Sequence, residues 1–339
     1  MILPVFLPHL GCGQRCIYCN QDHITNRAQR GGIEPYLASL FGPVDTPVEI
    51  ALYGGNVLGL DAPQLERLFV HFEPYREKIE SIRLSARPGR LAGQISGILR
   101  EHGVRTIELG SPTFNDRILG LLQRGHTKED LISTYRFLRD EGFQVGLQVM
   151  VGLPEERPDD LRETVLSVTR LAPSFIRIYP LVVIEDTPLF QLYQEGRFLP
   201  DPLETAVAKA AYIYVNAWKQ GIRTIKMGLT ENEVLKEKVA SGPYHPAFGY
   251  LVKSEAFYLA IVRKSEKAGF SGSVRVLLHP SDAAHLFGNK RTNVSRLKDR
   301  GIFPDWAEDG TMSRDHFMIE AHGRRASGSI ADALAMLPF

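Results

Sequence analysis

The sequence predicts an α/β fold: a parallel sheet of six strands with crossover helices, then a helical stretch and a small α+β domain. Three observations carry this expectation. Over residues 1–185 short β-rich runs alternate with helical patterns, and nearly every run ends on Gly, Pro, Asn or Ser. Beyond residue 185 the alternation gives way to longer helical patterns.

The first run, residues 3–8 (LPVFLP), is apolar and leads straight into a cysteine loop. Residues 48–53 stop at Gly54-Gly55, residues 81–85 at Ala86-Arg87-Pro88, residues 104–109 at Gly110 and residues 145–151 at Gly152-Leu153-Pro154; residues 175–183 form the sixth run. Between them, residues 62–75, 89–102, 128–141 and 159–171 carry apolar side chains three and four positions apart, the spacing of one helix face. Strands joined through helices pair in parallel, and their C-terminal ends converge on the edge that builds a site. The cysteines follow the first strand, on that edge. Further on, residues 203–221 read as a long helix, 223–228 as an extra strand, 242–248 (GPYHPAF) as a turn-rich loop and 250–268 as another helix. Residues 270–339 restart with a strand at 274–278, a Pro-Ser-Asp helix start and a helix through Arg300. The expected organisation is residues 1–185 as the core, 186–268 as a helical extension on it, and 269–339 as the small C-terminal domain.

Composition bounds the function. In 339 residues, 44% hydrophobic and 23% charged side chains are ordinary globular values, enough for a sizeable core. Forty Lys and Arg against 39 Asp and Glu give a net charge of +1, so whole-chain charge makes no case for nucleic acid, although a local patch still can. The start, MILPVFLPHLGCGQRC, has no basic leader region, and no run of 18 apolar residues occurs. A soluble, cytoplasmic protein without a membrane partner is expected.

All three cysteines, Cys12, Cys16 and Cys19, lie within eight residues. A set this close and odd in number staples little chain and reads as a metal site in a reducing compartment. Three thiolates can hold three irons of a 4Fe–4S cube and leave the fourth open to a ligand. The competing reading adds His23, which completes Cys-x3-Cys-x2-Cys-x3-His and suits a closed structural zinc site in a non-catalytic, RNA-binding protein. That reading requires one zinc per chain and a His23 as important as the cysteines.

The spacing Cys12-x3-Cys16-x2-Cys19, with Tyr18 before the last cysteine, resembles the CxxxCxΦC motif of the radical S-adenosylmethionine family. Further stretches extend the likeness: Ile107-Glu108-Leu109-Gly110, Arg124-Gly125-His126-Thr127, and residues 146–154 (GLQVMVGLP). In that order they resemble the series of the radical domain of the Elongator catalytic subunit and its bacterial relatives. Oxygen-independent coproporphyrinogen oxidases are more distant cousins. The likeness covers roughly residues 1–260. It implies a partial (β/α)6 TIM-like barrel, a 4Fe–4S cluster on Cys12, Cys16 and Cys19, and S-adenosylmethionine on its open iron. An injected electron then releases a 5′-deoxyadenosyl radical that abstracts hydrogen from substrate. It also implies an external electron donor of flavodoxin or ferredoxin type.

Carried over by position, Gly54, Gly55 and Asn56 bring backbone to the methionine amino group. Ser85, Arg124 and Gln148 hold the ribose and carboxylate, and Val151, Gly152 and Tyr179 line the adenine. Each has a plainer reading. Gly-Gly is a common turn, Gln148 is a buried amide that backbone can satisfy, and Arg124 can be a helix-end charge. Two departures fall at strand ends. Asn56-Val57-Leu58 stands where the Elongator-like series has Ser-Phe-Thr, and Ser111-Pro112-Thr113 where it has Val-Gln-Ser. Proline removes a backbone donor there. No acetyltransferase-like pattern follows the radical domain, so carboxymethylation by that two-domain chemistry is not expected.

In the tail, Leu286 and Phe287, then Gly288-Asn289-Lys290-Arg291, then Val294 and Leu297 resemble a KH module, whose GXXG loop clamps a nucleic-acid backbone. Arg291 replaces the second Gly. Lys290, Arg291, Arg296 and Lys298 are the candidate RNA contacts; the alternative is a solvated helix end. His245 reads as structural. The expected substrate is a base in RNA, and the alternative is a small metabolite or tetrapyrrole.

Overall fold

The strands form where β-branched and apolar residues cluster: β1 Ile2–Phe6, β2 Val48–Tyr53, β3 Ile79–Ala86, β4 Val104–Gly110, β5 Gln144–Val151, β6 Phe175–Pro180, β7 Val183–Ile184, β8 Arg223–Met227 and β9 Val239–Ser241. The computed structural model describes residues 2–24, 32–89, 91, 93–230 and 233–339. Seven of these strands make one sheet in the order β1-β2-β3-β4-β5-β6-β8, and each successive pairing from β1 through β5 is parallel. The sheet is the curled, partial barrel expected. Its seventh strand, β8, comes from a segment assigned from sequence to the helical extension. A short antiparallel pair joins β7 to β9.

The helices are α1 Gln21–Ile24, α2 Ile33–Phe41, α3 Ala62–Val70, α4 Gly93–Glu101, α5 Asp116–Leu121, α6 Lys128–Asp140, α7 Pro158–Leu171, α8 Pro188–Gln194, α9 Leu203–Lys219, α10 Glu233–Lys238 and α11 Phe248–Ala268. Where sequence spacing predicts one helix over residues 62–75, α3 ends at Val70 and a 3-10 segment spans Glu73–Lys78. Pro74 explains the break, since a proline disfavours helical backbone before it. The starts are written in side chains. Asp61 and Gln64 make a reciprocal cap on α3, and Thr127 and Asp130 do so on α6.

Two compact units result: residues 1–177, 181–200 and 230–242, and residues 178–180, 201–229 and 243–339. In the first, helices α4 and α6 pack on β4 and β5. Along β3, Ile82, Leu84 and Ala86 are buried while Ser81, Arg83, Ser85 and Arg87 remain half-buried. Period-two alternation thus places an apolar set on one face of the sheet and a polar set on the other.

In the second unit, β10 Gly272–Leu278, α12 Ala283–Phe287, α13 Thr292–Asp299 and β11 Ile302–Glu308 form a strand–helix–helix–strand unit whose two strands pair in parallel. Strands β12 His316–Ala321 and β13 Arg324–Ser329 complete a sheet of order β11-β10-β12-β13. The α12–α13 loop holds Lys290 at φ 49° and Arg291 at φ 62°, left-handed backbone at the position where the KH pattern has glycine. Arg296 is engaged, bonding Glu255 through both Nη atoms (2.5 and 3.0 Å) and lying over the Tyr258 ring. Among the described residues no helix is long and apolar enough to cross a membrane.

Candidate active site

The cysteine loop leaves the C-terminal end of β1 and is clamped by the turn after β2. Leu7 N–H donates to the Tyr53 carbonyl (2.7 Å), His9 N–H to Gly54 (2.9 Å), and Asn56 N–H to Leu10 (2.7 Å). This approach is what Gly55 permits: a Cβ there would stand 2.6 Å from the Leu10 carbonyl oxygen and 2.8 Å from that of Leu7. A Cβ on Gly11 would collide with the Asn56 carbonyl. The Asn56 carboxamide donates to Gly11 O (3.3 Å) and accepts from Arg87 N–H (2.8 Å), and Arg87 Nη1 reaches Gln14 O (2.7 Å). On the loop's far side, Ile17 N–H donates to Leu122 O and Leu189 N–H to Ile17 O. Ile17 packs with Ile118, Leu122, Leu153 and Leu189, and Tyr18 lies against that cluster.

Arg124-Gly125-His126-Thr127 works as one turn. Gly125, at φ 68°, lets the chain reverse so that Thr127 caps α6 while Arg124 runs inward. The buried Arg124 guanidinium donates from Nη1 to Cys16 Sγ (3.2 Å) and Tyr18 Oη (3.1 Å), and from Nη2 to Gly110 O (2.6 Å); its Nε has no hydrogen-bond partner. Arg124 therefore stands against a cysteine rather than presenting a free fork for a carboxylate. Burial, then the neighbouring Cys16 thiol, pushes Cys19 up to about 11, and burial raises Cys12 while Arg87 opposes it. Burial, then Arg124 and Arg87, lowers His126 to about 4.

Ser85 and Gln148 meet on the polar face of the sheet, Gln148 Nε2 donating to Ser85 Oγ (3.2 Å) and to Glu108 Oε2 (2.9 Å). Val151, fully buried, and Gly152, at φ 78°, end β5, and Gly152 N–H donates to Glu156 (3.0 Å). Tyr179 falls in the short segment that belongs to the second unit.

The structure adds a layer that the sequence reading missed. Glu49, Arg83, Glu108 and Arg177 interlock on the polar face of β2, β3, β4 and β6, with Tyr53 between Arg177 and Glu108. Burial, then Glu108, drives the Tyr53 hydroxyl far up, so it stays a donor. The missed signal was charge set within the strand runs: Glu49 in VEIALY, Arg83 in SIRLS, Glu108 together with Arg105 in VRTIEL, and Arg177 in FIRIYP. Below this layer Gly146 makes room for Phe175, whose ring would collide with a Cβ there.

Among the described residues no three His, Cys, Asp or Glu side chains converge tightly enough to hold one metal ion. Three thiolates on one loop can each take one iron of a 4Fe–4S cube and leave the fourth iron open. A buried guanidinium bonded to one thiol, with no ion pair to a carboxylate among the described residues, also fits an anionic group there. His23, the fourth donor of the zinc reading, instead gives Nε2 to Asp186 (2.9 Å).

Comparisons with known proteins agree with this architecture. Residues 7–168 match the Radical SAM superfamily and residues 173–257 the Radical_SAM C-terminal domain. Among curated relatives, a tRNA uridine(34) acetyltransferase of Methanocaldococcus jannaschii is 28% identical over 157 residues, 45% of this chain and 29% of that protein. Heme chaperone HemW of Bacillus subtilis is 25% identical over 57% of this chain and 54% of its own length. The chain therefore spans under a third of the first relative and about half of the second. The solved structure of Methanocaldococcus infernus Elp3, lacking its N-terminus, shares the fold with a TM-score of 0.57 at 17% identity, covering 94% of this chain and 72% of that one. With the cysteine loop on the C-terminal edge of a parallel half-barrel, the chain belongs to the radical S-adenosylmethionine superfamily, an enzyme class that uses a 4Fe–4S cluster and S-adenosylmethionine.

Proposed function

We propose that the chain modifies a base in RNA by hydrogen abstraction. Cys12, Cys16 and Cys19 would hold the cluster. When bound, the cluster and S-adenosylmethionine supply a 5′-deoxyadenosyl radical. The chain's own residues position and exclude. Gly54, Gly55 and Asn56 would take the methionine end, Ser85 and Gln148 the ribose, and Val151 and Gly152 would line the adenine. Tyr18 and Ile17 close the apolar side of the loop against water. Arg124 steadies Cys16 from beneath. An external flavodoxin- or ferredoxin-type donor supplies the electron.

The carrying observation is the Cys16–Arg124 contact at the mouth of the half-barrel. Support for RNA comes from the likeness to tRNA uridine acetyltransferases and from the tail. There Arg291 lies over the rings of Phe287 and Trp306, and Lys290 and Lys298 are exposed, a cation-and-aromatic face suited to a single strand. The likeness to HemW favours a second reading, a tetrapyrrole ligand. Anaerobic reconstitution tests the chemistry: an EPR signal that changes on adding S-adenosylmethionine, with 5′-deoxyadenosine released, is expected. No cluster, or one blind to the cofactor, sinks it. Salt-dependent retention on RNA tests the substrate, and a protein that ignores RNA at low salt but binds heme moves to the second reading.

A further inference from the structure

One buried carboxylate of the first unit has no task in the proposed function. Glu108 is fully buried in β4. Its Oε1 accepts from Tyr53 Oη (3.0 Å), Arg83 Nη1 (3.0 Å) and Arg177 Nη2 (2.9 Å). Its Oε2 accepts from Gln148 Nε2 (2.9 Å) and lies 2.7 Å from Arg177 Nε. A carboxylate has about four acceptor sites, so this one is saturated and has nothing left for a ligand. Glu108 must act through a neighbour.

That neighbour is Gln148. A carboxylate only accepts, so the amide has to turn its NH2 toward Glu108, and no flipped orientation is tolerated. Gln148 Oε1 is thereby turned away from Glu108, and among the described residues nothing donates to it. The same NH2 reaches Ser85 Oγ, which accepts and keeps its own proton for another partner. The result is a bare acceptor on β5 and a bare donor on β3, on either side of β4, held from below by a network that cannot rearrange without orphaning a buried charge.

We propose that Glu108 is a positioning residue: it locks the Gln148 amide so that Gln148 Oε1 and the Ser85 hydroxyl bind a vicinal diol, the ribose edge of an adenosyl ligand. This rests on the radical S-adenosylmethionine reading. Arg83, Arg177 and Tyr53 hold that carboxylate in place, and Glu49 holds Arg83.

The test measures binding of S-adenosylhomocysteine and of free methionine to the anaerobically reconstituted protein. Glu108→Gln puts an amide that can donate as well as accept where an accept-only carboxylate stood, so the Gln148 amide is no longer locked; it should weaken S-adenosylhomocysteine about tenfold while leaving methionine, which has no ribose, within about twofold. The exchange Glu108→Gln with Gln148→Glu returns an amide donor facing a carboxylate acceptor and should recover most of the loss; a merely structural role would leave the double variant no better than the worse single one. If Glu108→Gln does not fold, Ser85→Ala, at the rim of the network, should still lose S-adenosylhomocysteine affinity several-fold. Unchanged affinity in Ser85→Ala, or in a folded Glu108→Gln, overturns the proposal while the family reading stands. A native protein that binds a cluster but neither probe overturns both.

Discussion

The half-buried Arg83 and the buried Arg124 are guanidinium groups of the same half-barrel, and their charges are met in opposite ways. Arg83 sits between two carboxylates, forked onto Glu49 (3.1 and 3.2 Å) and bonded to Glu108. Burial alone would lower its proton affinity, but those bonds outweigh it and hold it above its ordinary value. The hydrogen bonds of Arg124 run to a sulfur, a phenol and a carbonyl. One layer of the interior is thus electrostatically complete in the protein alone, and the other is completed only by negative charge at the cysteines. A neutral floor supports the architecture, and a positive rim waits for the cofactor.

Four experiments can break or sharpen that contrast. The largest effect falls on the rim: Cys16→Ala should abolish the cluster, with iron dropping from about four per chain to near zero by iron and sulfide analysis. Next, the two arginines should part company in the iron-free protein. Arg83→Met orphans buried carboxylate and should cost about 3–5 kcal/mol in denaturant unfolding. Arg124→Met orphans none and should cost about 1–2 kcal/mol, yet it should lower cluster retention. Equal costs would erase the distinction. Gly55→Ala, which drives a methyl into the Leu10 and Leu7 carbonyls, should destabilise by about 1–3 kcal/mol and impair reconstitution without touching the floor. The smallest and most graded effect is His126. Its folded pKa, about 4, lies below the ordinary histidine value of 6.5, so its stabilising contribution is whole above 6.5 and is lost as pH falls toward 4. His126→Gln should flatten the stability–pH curve in that window. An unchanged slope would remove the positive field of Arg124 and Arg87 from the account.

Legibility followed the same division. The six expected strands appear with ends shifted by a few residues at most, because apolar runs bounded by Gly and Pro are local signals. The cysteine trio was legible because spacing alone declares it. Gly55 was legible as a turn, but its reason was not: it yields to the backbone of Leu7 and Leu10, residues far away in sequence. Arg124 was legible as a site residue, while its contact with Cys16 depends on a turn at Gly125 and a cap at Thr127. The Glu49–Arg83–Glu108–Arg177 layer was missed because each charge, seen within its own strand, looks like an ordinary polar alternation.

By itself the sequence determined the parallel α/β order, the cysteine loop on the C-terminal edge and the class of cofactor it takes, since strand periodicity and thiol spacing are properties of short segments. Only the tertiary structure decided that β8 closes the sheet as its seventh strand, that Arg124 faces sulfur, that His23 pairs with Asp186, and that Gln148 is turned by a carboxylate one strand away. Pairing between strands sets which charges neutralise one another, and no single strand carries that information.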